Sequence, residues 1–246
     1  MTSERRRRRL RALSTVLIVA GSLVMADATA TVVWQEPITA LITQVRQNAL
    51  EDELERLQAA GPSALELEAL AGLRTSTRRM AFLGRSLRRR TEAGDALGRL
   101  RMPAIGVDEV VVDGTAAGDL RQGPGFYEQQ PLPGMRGTTA IAGHRTTYGA
   151  PFRRLDDLDR GDRVEVEMPY GRFTYRVLGH RIVAPTALEV LDERPYDQLV
   201  LSACHPLFSA AKRIVVFARL ERTLPLGRAA LGRASTAPVS RVNPFG

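Results

Sequence analysis

The chain opens on a basic stretch and then turns apolar for the length of a membrane. Leu13 to Val33 carries Asp27 as its one charge, and a run of that size matches the roughly 20 residues a helix needs to cross a hydrocarbon core. Arg5 to Arg9 and Arg11 precede it and Trp34 follows it, the order expected for a cytoplasmic basic tail (residues 1–12), a spanning segment (13–34) and an interfacial aromatic. Ala26-Asp27-Ala28 and Ala28-Thr29-Ala30 resemble signal-peptide cleavage sites. The apolar run continues past both, which favours a retained signal anchor. Either way the remainder is exported.

From Pro37 to about Arg90 the pattern becomes helical. Ile38, Leu41, Ile42, Val45 and Ala49 recur on one face, followed by Leu50, Leu54 and Leu57. Gly61-Pro62 breaks the pattern, and Ser63 is placed to cap a second helix with Leu65, Leu67, Leu70 and Leu73. Residues 35–100 thus read as a helical stalk or spacer. The character changes near Arg101. Val107–Val112, Thr138–Ala142, Arg163–Glu167, Arg172–Leu178, Gln198–Ala203 and Ile214–Leu220 read as strands, several of them separated by turn signals such as Asp113-Gly114 and Arg160-Gly161-Asp162. Many short strands with little helix between them predict a mainly β sandwich or closed barrel over residues 101–222. The Pro-, Gly-, Arg- and Ser-rich residues 223–246 read as a disordered tail.

Composition adds a net charge of +8 and an aromatic content of 5%. The basic excess is concentrated in Arg5–Arg9 and Arg74–Arg90, as expected for membrane orientation or a solvated stalk rather than a nucleic-acid groove. Lys212 is the only lysine, a usage that fits a GC-rich, actinobacterial genome. The chain has one cysteine, Cys204. Inside a cell a lone thiol reads as inert core, but in an exported chain it asks for an explanation.

Thiol catalysis needs a proton shuttle and oxyanion donors around the sulfur. Alternation along Leu199–Ala203 sets Val200, Ser202 and Cys204 on one face and Leu199, Leu201 and Ala203 on the other. His205 follows Cys204 and therefore faces away from it, and His180 reads as a rim residue. His144, released by Gly143 after an apolar strand, is the better base, at the kind of strand end where catalytic groups are held. Arg213 begins the next strand after Cys204, and an antiparallel hairpin brings it back beside the thiol. On spacing alone the reading of Lys212 and Arg213 as ordinary strand-edge charges wins. No metal-ligand cluster is evident, Asp156, Asp157 and Asp159 reading as a solvated turn, and no cofactor is expected.

Taken together, three segments resemble the sortase family, in the order His, Cys, Arg, over roughly Met102 to Leu220. Ala142-Gly143-His144-Arg145-Thr146-Thr147-Tyr148-Gly149-Ala150-Pro151-Phe152 is similar to the histidine motif of class E sortases, Leu201-Ser202-Ala203-Cys204-His205-Pro206 to their cysteine motif, and Arg213-Ile214-Val215-Val216-Phe217-Ala218 to their arginine strand. The resemblance implies an eight-stranded β-barrel behind the anchor and stalk. It also implies a single-pass membrane transpeptidase with an extracytoplasmic catalytic domain. Cys204 would attack the Thr–Gly bond of an LAXTG- or LPXTG-like sorting signal, His144 would move protons, Arg213 would stabilise substrate and oxyanion, and a cell-wall amine would resolve the thioester. The implied partners are secreted proteins with sorting signals and a peptidoglycan or lipid-linked precursor amine. Tyr127, Tyr148, Ser202 and Ala203 are the candidate substrate contacts, Tyr127 for an LAXTG preference. One departure stands out: the family's TLxTC becomes Val200-Leu201-Ser202-Ala203-Cys204, without either threonine. Ala203 thereby keeps open a weak or inactive, wall-binding module as the alternative. An L,D-transpeptidase is the rival enzyme, but its Ser-x-Gly-Cys pattern is absent.

Overall fold

The computed structural model describes residues 14–25 and 37–230. The chain divides into two units, residues 1–42 and 43–246. In the first, residues 14–25 (α1) are helical and expose Val16, Leu17, Ile18, Val19, Leu23, Val24 and Met25. Leu13 and residues 26–34 of the expected anchor, like the basic tail before it, lie outside the described residues. Among the described residues no helix is long and apolar enough to cross a membrane.

The second unit is built on a closed barrel of eight strands: β1 (Ala96–Met102), β2 (Val107–Asp113), β3 (Gly125–Phe126), β4 (Thr138–Ala142), β5 (Arg163–Met168), β6 (Gly171–Val183), β7 (Gln198–His205) and β8 (Lys212–Pro225). They run around the barrel in the order β1-β2-β3-β4-β7-β8-β6-β5, and β5 closes on β1. The pairings are antiparallel except β2 with β3 and β4 with β7. Alternation fills the interior. Leu199, Leu201 and Ala203 of β7, Ile214, Val216 and Ala218 of β8, and Phe173, Tyr175 and Val177 of β6 all point into one core.

The helical stretch does more than space the barrel. α2 (Pro37–Ala60) sets Leu50 and Leu54, one turn apart, against Ala96, Val110 and Val112. Burying each leucine contributes about 1.5–3 kcal/mol. This explains the unbroken Val110-Val111-Val112: Val111 faces the barrel core, while its neighbours meet α2 outside. Gln47 anchors the same helix, accepting from the Val110 N–H at 2.7 Å and donating to the Gln122 carbonyl at 2.9 Å. α3 (Ala64–Ala71) begins at Ser63, whose hydroxyl accepts from Glu66 N–H while the Glu66 carboxylate accepts from Ser63 N–H, a capping box. α4 (Ser76–Arg90) delivers Met80, Leu83 and Leu87 to the core. Its arginines are not uniformly solvated. Arg79 is buried, and Arg88 pairs with Asp113 and donates to the carbonyls of Tyr127 and Gln130.

The tail expected to be disordered from residue 223 is ordered to Ala230. β8 continues to Pro225 opposite Gly171 because the long β6 offers it a partner, and after it a short helix, Gly227–Ala230, buries Ala229 completely. Residues 231–246 lie outside the described residues.

Gly125 is the tightest point of the barrel wall. A Cβ there would lie 1.9 Å from the Gly114 carbonyl oxygen, and backbone cannot step aside as a flexible side chain can. Gly125→Ala is expected to cost about 3 kcal/mol, a fall of roughly 5–10 °C in a thermal melt.

Candidate active site

The site forms where three neighbouring strands end on one rim of the barrel. β4 and β7 run parallel, with Ala142 level with Ser202, and the Gly143 N–H continues the pairing to the Ser202 carbonyl at 3.1 Å. His144 and Cys204, each two residues beyond that matched pair, therefore stand at the same height on adjacent segments. On the other side of β7, Cys204 is the register partner of Arg213 in β8. The hairpin expected from sequence is observed, and the parallel ladder supplies the third side. Gly143 is required by close approach: a Cβ there would meet the Phe152 ring at 2.7 Å.

Cys204 is half-buried and free of disulfide. Its face of β7 continues through Ser202 to Val200, which packs outside the barrel with Ala140, Val190 and Val215. Tyr127, Val183, Leu191 and Phe217 extend that apolar layer. The Tyr127 hydroxyl lies 2.9 Å from Ser202 Oγ, so two of the candidate substrate contacts meet directly behind Cys204. Ala203 is a correction to that set. Alternation turns it into the barrel core, 4% exposed beside Leu201 and Ile214, and so off the face the thiol occupies. The missing threonine hydroxyl at this position is replaced by a methyl group that suits an apolar interior.

His144 is half-buried, and its Nε2 is fully buried with no hydrogen-bond partner in the protein. An orphaned ring nitrogen is costly in a structural role, and available in a reactive one. The imidazole lies against Tyr148, ring centroids 5.1 Å apart, and the Arg121 guanidinium sits 5.7 Å from the Tyr148 ring centre. Burial, with the nearby Arg121 charge, lowers the His144 pKa below its ordinary 6.5. Below pH 6.5 the unfolded chain then binds a proton that the folded chain refuses. This share of stability is intact above pH 6.5 and declines as pH falls from 6.5 through the lower folded value. His144→Gln is expected to flatten that acid limb in melting temperature against pH.

Arg213 anchors through Nη1, which donates to the carbonyls of Ala210 and Lys212 at 3.0 Å each. Among the described residues its Nε and Nη2 have no partner in the protein. Arg145, overlooked in the sequence reading, is buried beside the site and bridges to His205. Its position inside the histidine motif was visible, but its burial was not. His180 is exposed on β6, opposite Val216 of β8. Among the described residues no group of His, Cys, Asp and Glu could hold a metal ion. Asp156 and Asp157 are instead paired with Arg145 and Arg154.

A thiol, an imidazole and a guanidinium thus stand at adjacent strand ends of a closed β-barrel, the three kinds of group that thiol acyl transfer uses. The comparisons with known proteins give the family. Residues 100–221 match the Sortase domain. The chain is 32% identical over 132 residues to Sortase D of Bacillus subtilis, covering 52% of this chain and 65% of that one, so it spans somewhat less than two thirds of that relative. It is 30% identical to sortase E from Streptomyces avermitilis, a solved structure, over 57% of this chain and all of that one, with a TM-score of 0.51. The Clostridium perfringens Sortase D5 transpeptidase shares the fold at 21% identity, TM-score 0.58, over 72% of this chain and 99% of that one. The chain belongs to the sortase family.

Proposed function

We propose that this protein is a membrane-anchored cysteine transpeptidase of the class E type, acting outside the membrane on C-terminal sorting signals of the LAXTG kind. The observation that carries the chemistry is the level placement of His144, Cys204 and Arg213 on β4, β7 and β8. Cys204 passes its thiol proton to His144 and attacks the Thr carbonyl of the Thr–Gly bond, forming the C–S bond as the carbonyl opens to the oxyanion. Arg213, through the nitrogens its anchor leaves unbonded, steadies the oxyanion. The tetrahedral intermediate expels the Gly amine as His144 hands it a proton. The resulting Thr thioester is attacked by a cell-wall amine, whose proton passes to His144 as the thiol departs.

Support for the class E reading comes from Tyr127, hydrogen-bonded to Ser202 on the thiol's face, and from the likeness to the Streptomyces avermitilis sortase E. The apolar side chains displayed along residues 14–25 support the anchor. Since Ala203 lies in the core, its missing hydroxyl no longer argues for a non-catalytic wall-binding module. The test is a chromatographic cleavage assay with full-length protein in detergent, using LAXTG and LPXTG peptides and an amine acceptor. Cleavage between Thr and Gly with preference for LAXTG is expected. Equal use of the two peptides overturns the class assignment, and cleavage of neither overturns the activity.

A further inference from the structure

We infer that Arg145 is a positioning residue whose guanidinium clasps His205 and so holds the strand end bearing Cys204 to the loop bearing His144. The inference rests on reading those two residues as the reacting pair. Arg145 directly follows His144, and His205 directly follows Cys204, so the clasp lies one residue away from each reacting group. Its side chain is only 2% exposed, and a charge buried that deeply must have its donors matched. They are. Nε and Nη2 donate to the Arg153 carbonyl at 3.3 and 3.1 Å, Nη2 to Asp156 Oδ1 at 2.6 Å, and Nη1 meets His205 Nδ1 at 3.1 Å.

Three of these four bonds fold the loop after β4 onto itself, and the fourth crosses to β7. A guanidinium can only donate and keeps its proton, so His205 Nδ1 must accept and the His205 ring proton sits on Nε2. This gives His205 a task suited to its direction, since alternation turns it away from Cys204 and out of the reaction. The crossing bond matters because the ladder between β4 and β7 stops early. After Gly143 N–H to Ser202 carbonyl, no hydrogen bond among the described residues other than Arg145–His205 joins residues 144–156 to residues 203–212. His144 and Cys204 lie beyond the end of that ladder. Their separation is therefore set by the clasp rather than by the sheet.

Three variants of full-length protein in detergent test this: His205→Ala, which removes the acceptor; His205→Asn, whose Oδ1 stands near the place of Nδ1; and His205→Gln, which keeps an acceptor but sets it one bond too far. Each is read by melting temperature, by kcat and KM for the signal peptide, and by the pH profile of Cys204 alkylation with iodoacetamide. The alkylation needs no peptide substrate. His205→Ala is expected to lower kcat at least about tenfold with KM within about twofold, as displacement of a reacting pair does, and to shift the alkylation profile. His205→Asn is expected to recover kcat to within about threefold and the wild-type profile, because the charge-assisted bond is restored. If His205→Ala does not melt cooperatively, His205→Gln takes its place in the comparison. A wild-type kcat and alkylation profile in the acceptor-less variant overturns the clasp, as does equal impairment of the Asn and Ala variants, or a change confined to KM. Should wild-type protein cleave no peptide, the functional reading fails, while the alkylation contrast still decides the clasp.

Discussion

Replacing Cys204 with alanine is expected to abolish both cleavage and transfer, lowering turnover by about 10⁴-fold or more, as loss of a covalent nucleophile does. No other thiol can substitute, because the chain has one cysteine. The fold should be indifferent to the change. Cys204 is half-buried at a strand end, and its neighbours in the core, Ala203 and Ile214, keep their packing. A melt within a few degrees of wild type together with no product is the expected pair of results. Serine at the same position should be nearly as inactive, since its hydroxyl is a far poorer nucleophile at neutral pH than a thiol. Residual transpeptidation by the alanine variant, measured by product chromatography, removes Cys204 from the nucleophile's role.

The second large effect is expected at Arg213. Lysine there preserves the charge, yet turnover should fall by about 10²–10³-fold, the range seen when an oxyanion donor is lost. The reason lies in how the fork is divided. Nη1 is committed to the Ala210 and Lys212 carbonyls at the turn into β8, which fixes the plane of the group and leaves Nε and Nη2 without a partner among the described residues. A lysine ammonium can hold the loop or meet the oxyanion, but it has no second nitrogen with which to do both. KM and kcat measured together separate the effects, with kcat carrying most of the loss. A near-normal kcat in Arg213→Lys reduces the residue to an ordinary edge charge.

How much of this was legible in the sequence varies from element to element, for physical reasons. Six strands were readable, β5 from alternation with one buried face and β4 and β7 as short runs of mostly apolar residues buried on both faces. β1 was not, since Gly98, Arg99 and Arg101 make Ala96–Met102 look polar; those arginines pair with carboxylates of neighbouring segments, including Asp108 and Glu167. β3, at two residues, is too short to carry any periodicity. The antiparallel hairpin of β7 and β8 follows from a short connection, and with it the pairing of Cys204 with Arg213. The parallel pairing of β4 with β7 joins segments some 60 residues apart and leaves no local trace, so His144 entered by motif and by strand-end position. The helices of residues 43–90 were recognisable, but not their packing, which depends on Val110 and Val112 facing outward from β2. The Arg145–His205 contact was hidden for a similar reason: both residues stood in quoted motifs, yet burial of a charge appears only in three dimensions.

The central claim is that Cys204 forms an acyl-enzyme with a sorting signal, and intact-mass spectrometry tests it most directly. Full-length protein in detergent is mixed with LAXTG-type peptides and quenched in acid before an acceptor amine is added. The predicted result is a mass increase equal to the peptide through its threonine less one water, located on the fragment containing Cys204, discharged by hydroxylamine and absent from Cys204→Ala. Folded protein that shows no adduct with any of a panel of LAXTG and LPXTG signals, or an adduct on a different residue, contradicts it.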